Sequence, residues 1–448
     1  MHGFLIAGTN SGCGKTTVTI GLMDLLKSRG WKIAPFKTGP DYIDPLFHSK
    51  VLEVPSYNLD GFMLSHHVVR HLFDKHTRSK DMAIVEGVMG MYDGKGHQAK
   101  GSSYELSTIL DMPVILVVSC NSLYQSVAAI VKGFASLRED ARIQGIILNH
   151  VPDEAYYRFL KSVIEHETRI PCVGYVPKNK GFSLESRHLG LVQAEEVPEL
   201  SAKIQKLSDT LSQTIDVEKL LEVTQIPNHS GASHALPALD LSDLHIGVAY
   251  DKAFRFYYRD NLELLEELGA TLYYFSPIKD GHLPEQSNCL YLGGGYPEVF
   301  AGELSTNKKL LREIKSAVLE GMPVYAECGG LMYLSQNIID IDGFSYPMAG
   351  VYNASIQMTK RLQRFGYATV HYNGAQTKCH EFHRSQITSS AEKPNYTLEY
   401  KLEKPEKQKE WQCGLKLNNC LAGYAHVHFY SNFNFLEQIV KLWKQANT

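Results

Sequence analysis

The 448-residue chain has no block of basic residues, no Cys-x-x-Cys pair, no internal repeat or low-complexity tract, and no apolar run long enough to cross a membrane. Each absence removes a class of protein. With 45 lysines and arginines against 48 aspartates and glutamates the formal charge is −3, and without a clustered basic surface no nucleic-acid partner is expected. The eight cysteines, at 13, 120, 172, 289, 328, 379, 413 and 420, are spaced for neither a zinc site nor a disulfide framework. Most read as small buried apolar residues. The longest apolar stretches, such as Pro113–Val118, fall far short of the roughly 20 residues of a bilayer-spanning helix, so no membrane partner is expected. The first residues run straight into a strand and a glycine loop without the regions of a secretory leader, which predicts a cytoplasmic protein. The lack of a 20–50-residue period excludes solenoids.

What is present is globular composition arranged in two halves. Hydrophobic residues make up 44% and charged residues 21%, and 448 residues exceed what one core supports, so two domains of about 200 residues are expected. Short β-branched runs at 4–7, 32–35, 82–85, 114–118 and 145–148 alternate with helix-length segments. That alternation predicts a parallel, doubly wound sheet whose ligands sit beyond the carboxyl ends of its strands. Proline, glycine and serine without a sustained period at 226–243 predict a linker between domains at 1–225 and 244–448. Runs at 245–250, 271–275, 289–292 and 323–326, with a helix-like 261–268, predict a second α/β domain.

Residues 8–17 read Gly-Thr-Asn-Ser-Gly-Cys-Gly-Lys-Thr-Thr, between the apolar run 4–7 and the helix-like segment 18–26. This is the pattern of a phosphate-binding loop for a nucleoside triphosphate. Gly12 and Gly14 let N–H groups converge on phosphate oxygens, Lys15 reaches the β- and γ-phosphates, the Thr16 hydroxyl ligates Mg²⁺, and Thr17 completes the loop. Five residues rather than the usual four separate Gly8 from Gly14. That longer loop resembles dethiobiotin synthetase and its relatives, which phosphorylate carboxylates or carbamates.

Other strand ends are also loaded with polar groups. Asp41 and Asp44, with Lys37 before and His48 after, are spaced to hold Mg²⁺ and orient a carboxylate acceptor near the γ-phosphate. Taken alone, the stretch also fits a Pro-Asp surface turn. Glu86 ends the strand at 82–85 as a second metal anchor, and Gly87, Gly90 and Gly94 around Asp93 allow close ligand approach. Asn149, read as following the fifth strand, offers an amide to a nucleotide base or serves as an ordinary turn residue.

In the second half, Val324-Tyr-Ala-Glu-Cys328-Gly-Gly places a cysteine between a strand and a helix. A sharp turn there resembles a nucleophile elbow, and the following helix is expected to favour the thiolate. His426 and His428, two apart in an expected strand, would face one side, one as base and the other structural. Gly294 and Gly295 follow another strand and are candidate suppliers of an oxyanion hole. An inert core cysteine and structural histidines are the alternatives.

Together these residues resemble the cobyrinate a,c-diamide synthase family of corrinoid biosynthesis. The likeness rests on loop 8–17, Lys37–Pro45, Glu86–Gly94, Arg187–Leu191, Gly293–Glu298, Cys328–Gly330, His380–His383 and Tyr424–Phe429, in order along the whole chain. The resemblance implies an ATP- and glutamine-dependent amidoligase: an N-terminal P-loop, doubly wound synthetase domain and a C-terminal class I glutamine amidotransferase-like α/β domain. It implies glutamine hydrolysis at the cysteine, internal passage of ammonia, and amidation of the c- and then the a-carboxylate of cobyrinic acid through acyl phosphates. On this basis Lys15 and Thr16 serve ATP and Mg²⁺; Asp41, Asp44, Glu86 and Asp93 serve metal and carboxylate activation; and Tyr42 lies beside the corrinoid. Class I amidotransferases often carry Glu two residues after the histidine, where this chain has His428, and Ser119 ends its strand where relatives are expected to carry Asp. The Tyr-x-His pattern of related amidotransferases favours His426 as the base. Hydrogenobyrinate and nickel-sirohydrochlorin stand as alternative macrocycles, because the motifs handle phosphate and ammonia rather than the ring. A partitioning-type ATPase switch is the alternative class; such proteins carry an extra lysine early in the loop, where this chain has Thr9 and Asn10, and have no use for Cys328 or His426.

Overall fold

The computed structural model describes residues 1–182, 186–187, 190–191, 199–227, 231, 234–389 and 393–445. The Arg187–Leu191 motif and the expected linker lie partly outside these residues. The chain divides into two compact units, Met1–Ala235 and Leu236–Thr448.

In the first unit seven strands form one parallel sheet: β1 (His2–Gly8), β2 (Ile33–Thr38), β3 (Tyr57–Leu59), β4 (Met82–Glu86), β5 (Val114–Ser119), β6 (Ile143–Val151) and β7 (Cys172–Pro177). Their order is β3-β2-β4-β1-β5-β6-β7. Helices cover both faces, so the central strands are buried almost throughout and read as continuous apolar runs rather than alternating ones. Chain order reverses around β1, the place where such sheets open a crevice for ligands. Helix α1 (Lys15–Ser28) leaves that point and buries Val18, Leu22, Leu25 and Leu26 against the sheet.

Two strands overrun their predicted ends. Lys37 and Asn149 lie inside β2 and β6 rather than after them, because Lys37 pairs with Glu86 of β4 and Asn149 with Val176 of β7. The apolar pattern stops at these polar residues but the ladder does not. β3 and β7 went unpredicted.

The second unit holds ten strands in one mixed sheet. They are β8 (His245–Ala249), β9 (Thr271–Phe275), β10 (Cys289–Leu292), β11 (Val324–Glu327), β12 (Arg364–Tyr372), β13 (Ala375–His383), β14 (Thr397–Lys404), β15 (Lys409–Leu417), β16 (Cys420–Gly423) and β17 (His426–Val427). In the order β9-β8-β10-β11-β16-β15-β14-β12-β13-β17, the first five run parallel and the rest antiparallel. The parallel half matches the expected α/β pattern. Only Tyr424 and Ala425 separate β16 from β17, yet β17 pairs with β13 four strands further along, so the antiparallel strands curl back towards the end of β16.

A buried side chain clamps this return. Asn261, fully buried on helix α2 (Arg259–Glu267), donates to Val427 O at 2.7 Å and accepts from Phe429 N at 2.7 Å. Among the described residues no helix is long and apolar enough to cross a membrane. Replacing Asn261 by alanine strands two buried backbone groups, and a loss of about 2–4 kcal/mol is expected in the urea unfolding transition of the second unit.

Candidate active sites

The phosphate loop closes over the end of β1. Gly14 has φ 98°, a left-handed conformation that suits glycine, and a methyl group there would overlap the Asn149 amide. Asn149 donates to Cys13 O at 2.8 Å and accepts from His150 N at 2.8 Å. Its amide holds the loop through these two bonds and keeps one N–H and one lone pair besides. Gly12 is also left-handed, at φ 78°. Lys15 is buried and donates to Asn10 O at 3.3 Å, and burial lowers its pKa. Thr17 is half-buried one residue beyond Thr16. Ser119, at the end of β5, bonds His150 Nδ1 at 2.9 Å.

Beside the loop stands a buried ionic cluster centred on Lys37. Its ammonium lies 2.5 Å from Asp44 Oδ2, 3.2 Å from Glu86 Oε1 and 3.9 Å from Asp41 Oδ2, and donates to Gly87 O at 3.1 Å. Thr16 Oγ donates to Glu86 Oε1 at 2.5 Å, while Glu86 Oε2 faces His48 Nε2 at 2.7 Å. His48 Nδ1 meets Ser56 Oγ at 3.1 Å. Burial opposes every charge here, but the carboxylates raise Lys37 above its ordinary value, and Lys37, His48 and Thr16 hold Glu86 below its own. Asp44 is pushed well up by burial and by Asp41 and Glu86. One ammonium faces three carboxylates, so ionisation of all three leaves a deficit of positive charge. The donors are hard oxygens, the ligand type of magnesium, and the deficit suits a further cation's charge.

The remaining expected residues of this unit have other local duties. Asp41 Oδ1 accepts from Ile43 N and Asp44 N at 2.9 and 3.2 Å, shaping the turn, and half-buried Tyr42 sits within it. Asp93 is exposed and accepts from Gly90 N at 2.9 Å, closing the loop after β4.

In the second unit Cys328 stands directly after β11 with φ 46° and ψ −98°, a strained conformation for a residue with a Cβ. Its N–H donates to Gly423 O at 2.7 Å, which pins the turn to β16. The short helix α3 (Gly329–Leu334) follows; a methyl group on Gly330 would overlap Leu292 O, and Gly329 packs against Gly295 N. His426 lies over Gly294, where a methyl group would collide with the imidazole.

The thiol is 7% exposed, and burial, with Glu298, Glu381 and Glu327, pushes its pKa up, opposed by the Gly329 N–H. Burial among carboxylates opposes the thiolate that the following helix is expected to favour. The two histidines also part company. β17 ends at Val427, and His428 Nε2 lies 3.8 Å from Asp260 Oδ2, whereas His426 Nδ1 lies 3.7 Å from Glu327 Oε2. Burial lowers His428 to about 4, so it is neutral at pH 7.

Sequence reasoning missed Glu327 and Glu381. The available signal was an acid at the end of the short apolar strand Val324-Tyr-Ala-Glu and the lone acid of the strand segment Cys379-His-Glu-Phe. Burial pushes Glu381 up to about 7, with Arg364 opposing.

A phosphate-loop unit and a cysteine–histidine unit on one chain define a nucleotide-using glutamine amidotransferase as a class. Residues 4–192 match the family model for the CobQ/CobB/MinD/ParA nucleotide binding domain, and residues 245–434 that for the CobB/CobQ-like glutamine amidotransferase domain. A protein of Caldanaerobacter subterraneus named cobyrinate a,c-diamide synthase is 44% identical over 96% of this chain and 95% of its own length. Proteins of the same name from Listeria innocua and Clostridium acetobutylicum are 41% and 42% identical, over 98% of this chain and 99% and 100% of theirs. The chain belongs to the cobyrinate a,c-diamide synthase family.

Two predictions follow from the buried charges. Lys37→Met leaves Asp41, Asp44 and Glu86 without their ammonium, and a loss of about 3–5 kcal/mol is expected by denaturant titration at pH 7. Glu381 takes up its proton more tightly in the folded chain, at about 7 against an ordinary 4.5, so its contribution to stability falls as pH rises through that window. Glu381→Gln is therefore expected to raise the melting temperature relative to the parent more at pH 8 than at pH 5.

Proposed function

We propose that this chain amidates the c- and then the a-carboxylate of cobyrinic acid, with ATP as co-substrate and glutamine as nitrogen donor. The observation that carries this reading is that one chain holds both a nucleotide-binding and a glutamine amidotransferase domain and that relatives matching it over nearly full length bear that enzyme's name. Residues 1–225 act as the synthetase domain and 244–448 as the amidotransferase domain, joined by the linker at 226–243, and the protein works in the cytoplasm.

In the glutaminase half, Cys328 Sγ attacks the glutamine carboxamide while His426 takes the thiol proton. Gly294 and Gly295 supply donors to the oxyanion. The imidazolium returns the proton to the departing nitrogen, ammonia leaves, and water hydrolyses the thioester to glutamate, regenerating the thiol. In the synthetase half, the N–H groups around Gly12 and Gly14, with Lys15 and Thr17, cradle the phosphates, and Asn149 keeps the loop in place. A substrate carboxylate takes the γ-phosphoryl group, and ammonia displaces phosphate from the acyl phosphate. Asp41, Asp44 and Asp93 orient the carboxylate, and Tyr42 lines the ring. Magnesium, held by Thr16, Asp41 and Glu86, would neutralise phosphate charge. Handing ammonia on without release to water keeps it unprotonated, hence nucleophilic.

Incubating the protein with cobyrinic acid, ATP, Mg²⁺ and amide-¹⁵N glutamine tests the reading by mass spectrometry. Two successive ¹⁵N amidations are expected, with Cys328→Ala active on added ammonia only. No amidation by a folded, ATP-binding chain rejects cobyrinic acid and turns the assay to hydrogenobyrinate and nickel-sirohydrochlorin.

A further inference from the structure

The histidine at 428 occupies the position where a class I amidotransferase often carries its third, acidic residue, and its neighbours show that it does not stand in for that acid. It is buried against Asp260 and Tyr258, with its ring 4.8 Å from the tyrosine. A carboxylate nevertheless faces the base from a different strand. Glu327 ends β11 immediately before the nucleophile, is 2% exposed, and holds its two oxygens in unlike surroundings. Oε1 accepts from the Tyr325 hydroxyl at 2.8 Å and from Val427 N at 3.2 Å. With Oε1 anchored from two sides, Oε2 is aimed at His426 Nδ1, 3.7 Å away.

We propose that Glu327 is the positioning residue of the glutaminase site, holding His426 as its Nδ1–H tautomer so that Nε2 accepts the Cys328 proton. The proposal rests on the amidotransferase reading above. The 3.7 Å separation is longer than a hydrogen bond, and such catalytic contacts often tighten when substrate arrives. Val427 N is itself bonded to Glu327, so the carboxylate locates the residue next to the imidazole as well as the ring. Gly294 leaves room for the ring on its other side. Nucleophile and orienting acid are thus neighbours in sequence, whereas the base is brought in from β17.

The other titratable groups around the pair do not compete for this role. From β13, His380 and His383 lie near His426, and burial lowers them to about 3 and about 4, so they are neutral at pH 7. Tyr257, Tyr291, Tyr325 and Tyr400 face Glu327 and are all pushed further up by burial. Glu298 and Glu381 bear on Cys328.

The test compares Glu327→Gln, Glu327→Asp and wild-type full-length chains with ATP, cobyrinic acid and glutamine, reading glutamate release. In parallel, ¹⁵N-histidine NMR reads the tautomer of His426, assigned by its loss in His426→Asn. A glutamine at 327 can donate to Nδ1 and stabilise the wrong tautomer, so kcat for glutamate release is expected to fall about a hundredfold with KM for glutamine little changed. The His426 signal should switch from Nδ1–H to Nε2–H, and Glu327→Asp, which keeps the charge, should recover part of the rate. Unchanged kcat in Glu327→Gln, or a fall with the tautomer intact, overturns the proposal. If Glu327→Gln does not fold, Tyr325→Phe removes one anchor of Oε1 and is expected to lower kcat about tenfold through the same tautomer change; no change in either readout there overturns the proposal. A wild-type chain that releases no glutamate overturns the amidotransferase reading as well, which separates the two failures.

Discussion

Crowding of the backbone where a parallel strand hands over to a helix governs both reactive sites. After β1 the chain must turn under the Asn149 amide, and only a residue without a Cβ fits at Gly14, which leaves Lys15 as the first side chain of α1. After β11 it must turn under Leu292 O, and only glycine fits at Gly330, which leaves the strained Cys328 at the apex. In each case tight packing selects the one side chain that projects. Each turn is also tied down by a hydrogen bond: in the first the crowding Asn149 amide itself holds Cys13 O, and in the second Gly423 O, a different atom from the crowding Leu292 O, holds Cys328 N.

The two units then treat buried charge in opposite ways. Around Lys37 the carboxylates are paired, and Glu86 is kept ionised by an ammonium, an imidazole and a hydroxyl. The surroundings suit phosphate and metal chemistry, where negative charge has to be gathered and balanced. Around Cys328 the carboxylates face a dehydrated thiol, and they and burial push its pKa up.

Much of this was legible in the sequence because it is local. The phosphate loop is contiguous, Cys328 carries its glycines beside it, and the parallel strands announce themselves as apolar runs. The missed features depend on residues far apart. Lys37 and Asn149 were read as loop residues because polarity ends the apolar pattern, while the ladders continue through Glu86 and Val176. The antiparallel strands 364–417 have short, irregular apolar alternation with exposed ends, as in Arg364–Tyr372 and Lys409–Leu417. Glu327 looked like the end of a strand, since nothing in the sequence reveals that β17 returns beside it. The parting of His426 from His428 follows from the strand ending one residue earlier than period-two reasoning assumed.

The return of β17 also dictates an order of assembly. Val427 and Glu327 are 100 positions apart, and Asn261, which clamps Val427, is 166 positions from it. Ribosomal synthesis runs from the amino end, so Cys328 emerges and the strands beside it can pair well before His426 exists. A chain stopped short of residue 426 would carry Cys328 in its turn with no imidazole to serve it. Such distant pairings form slowly and late, so the surroundings of Cys328 are among the last parts of the second unit to be completed.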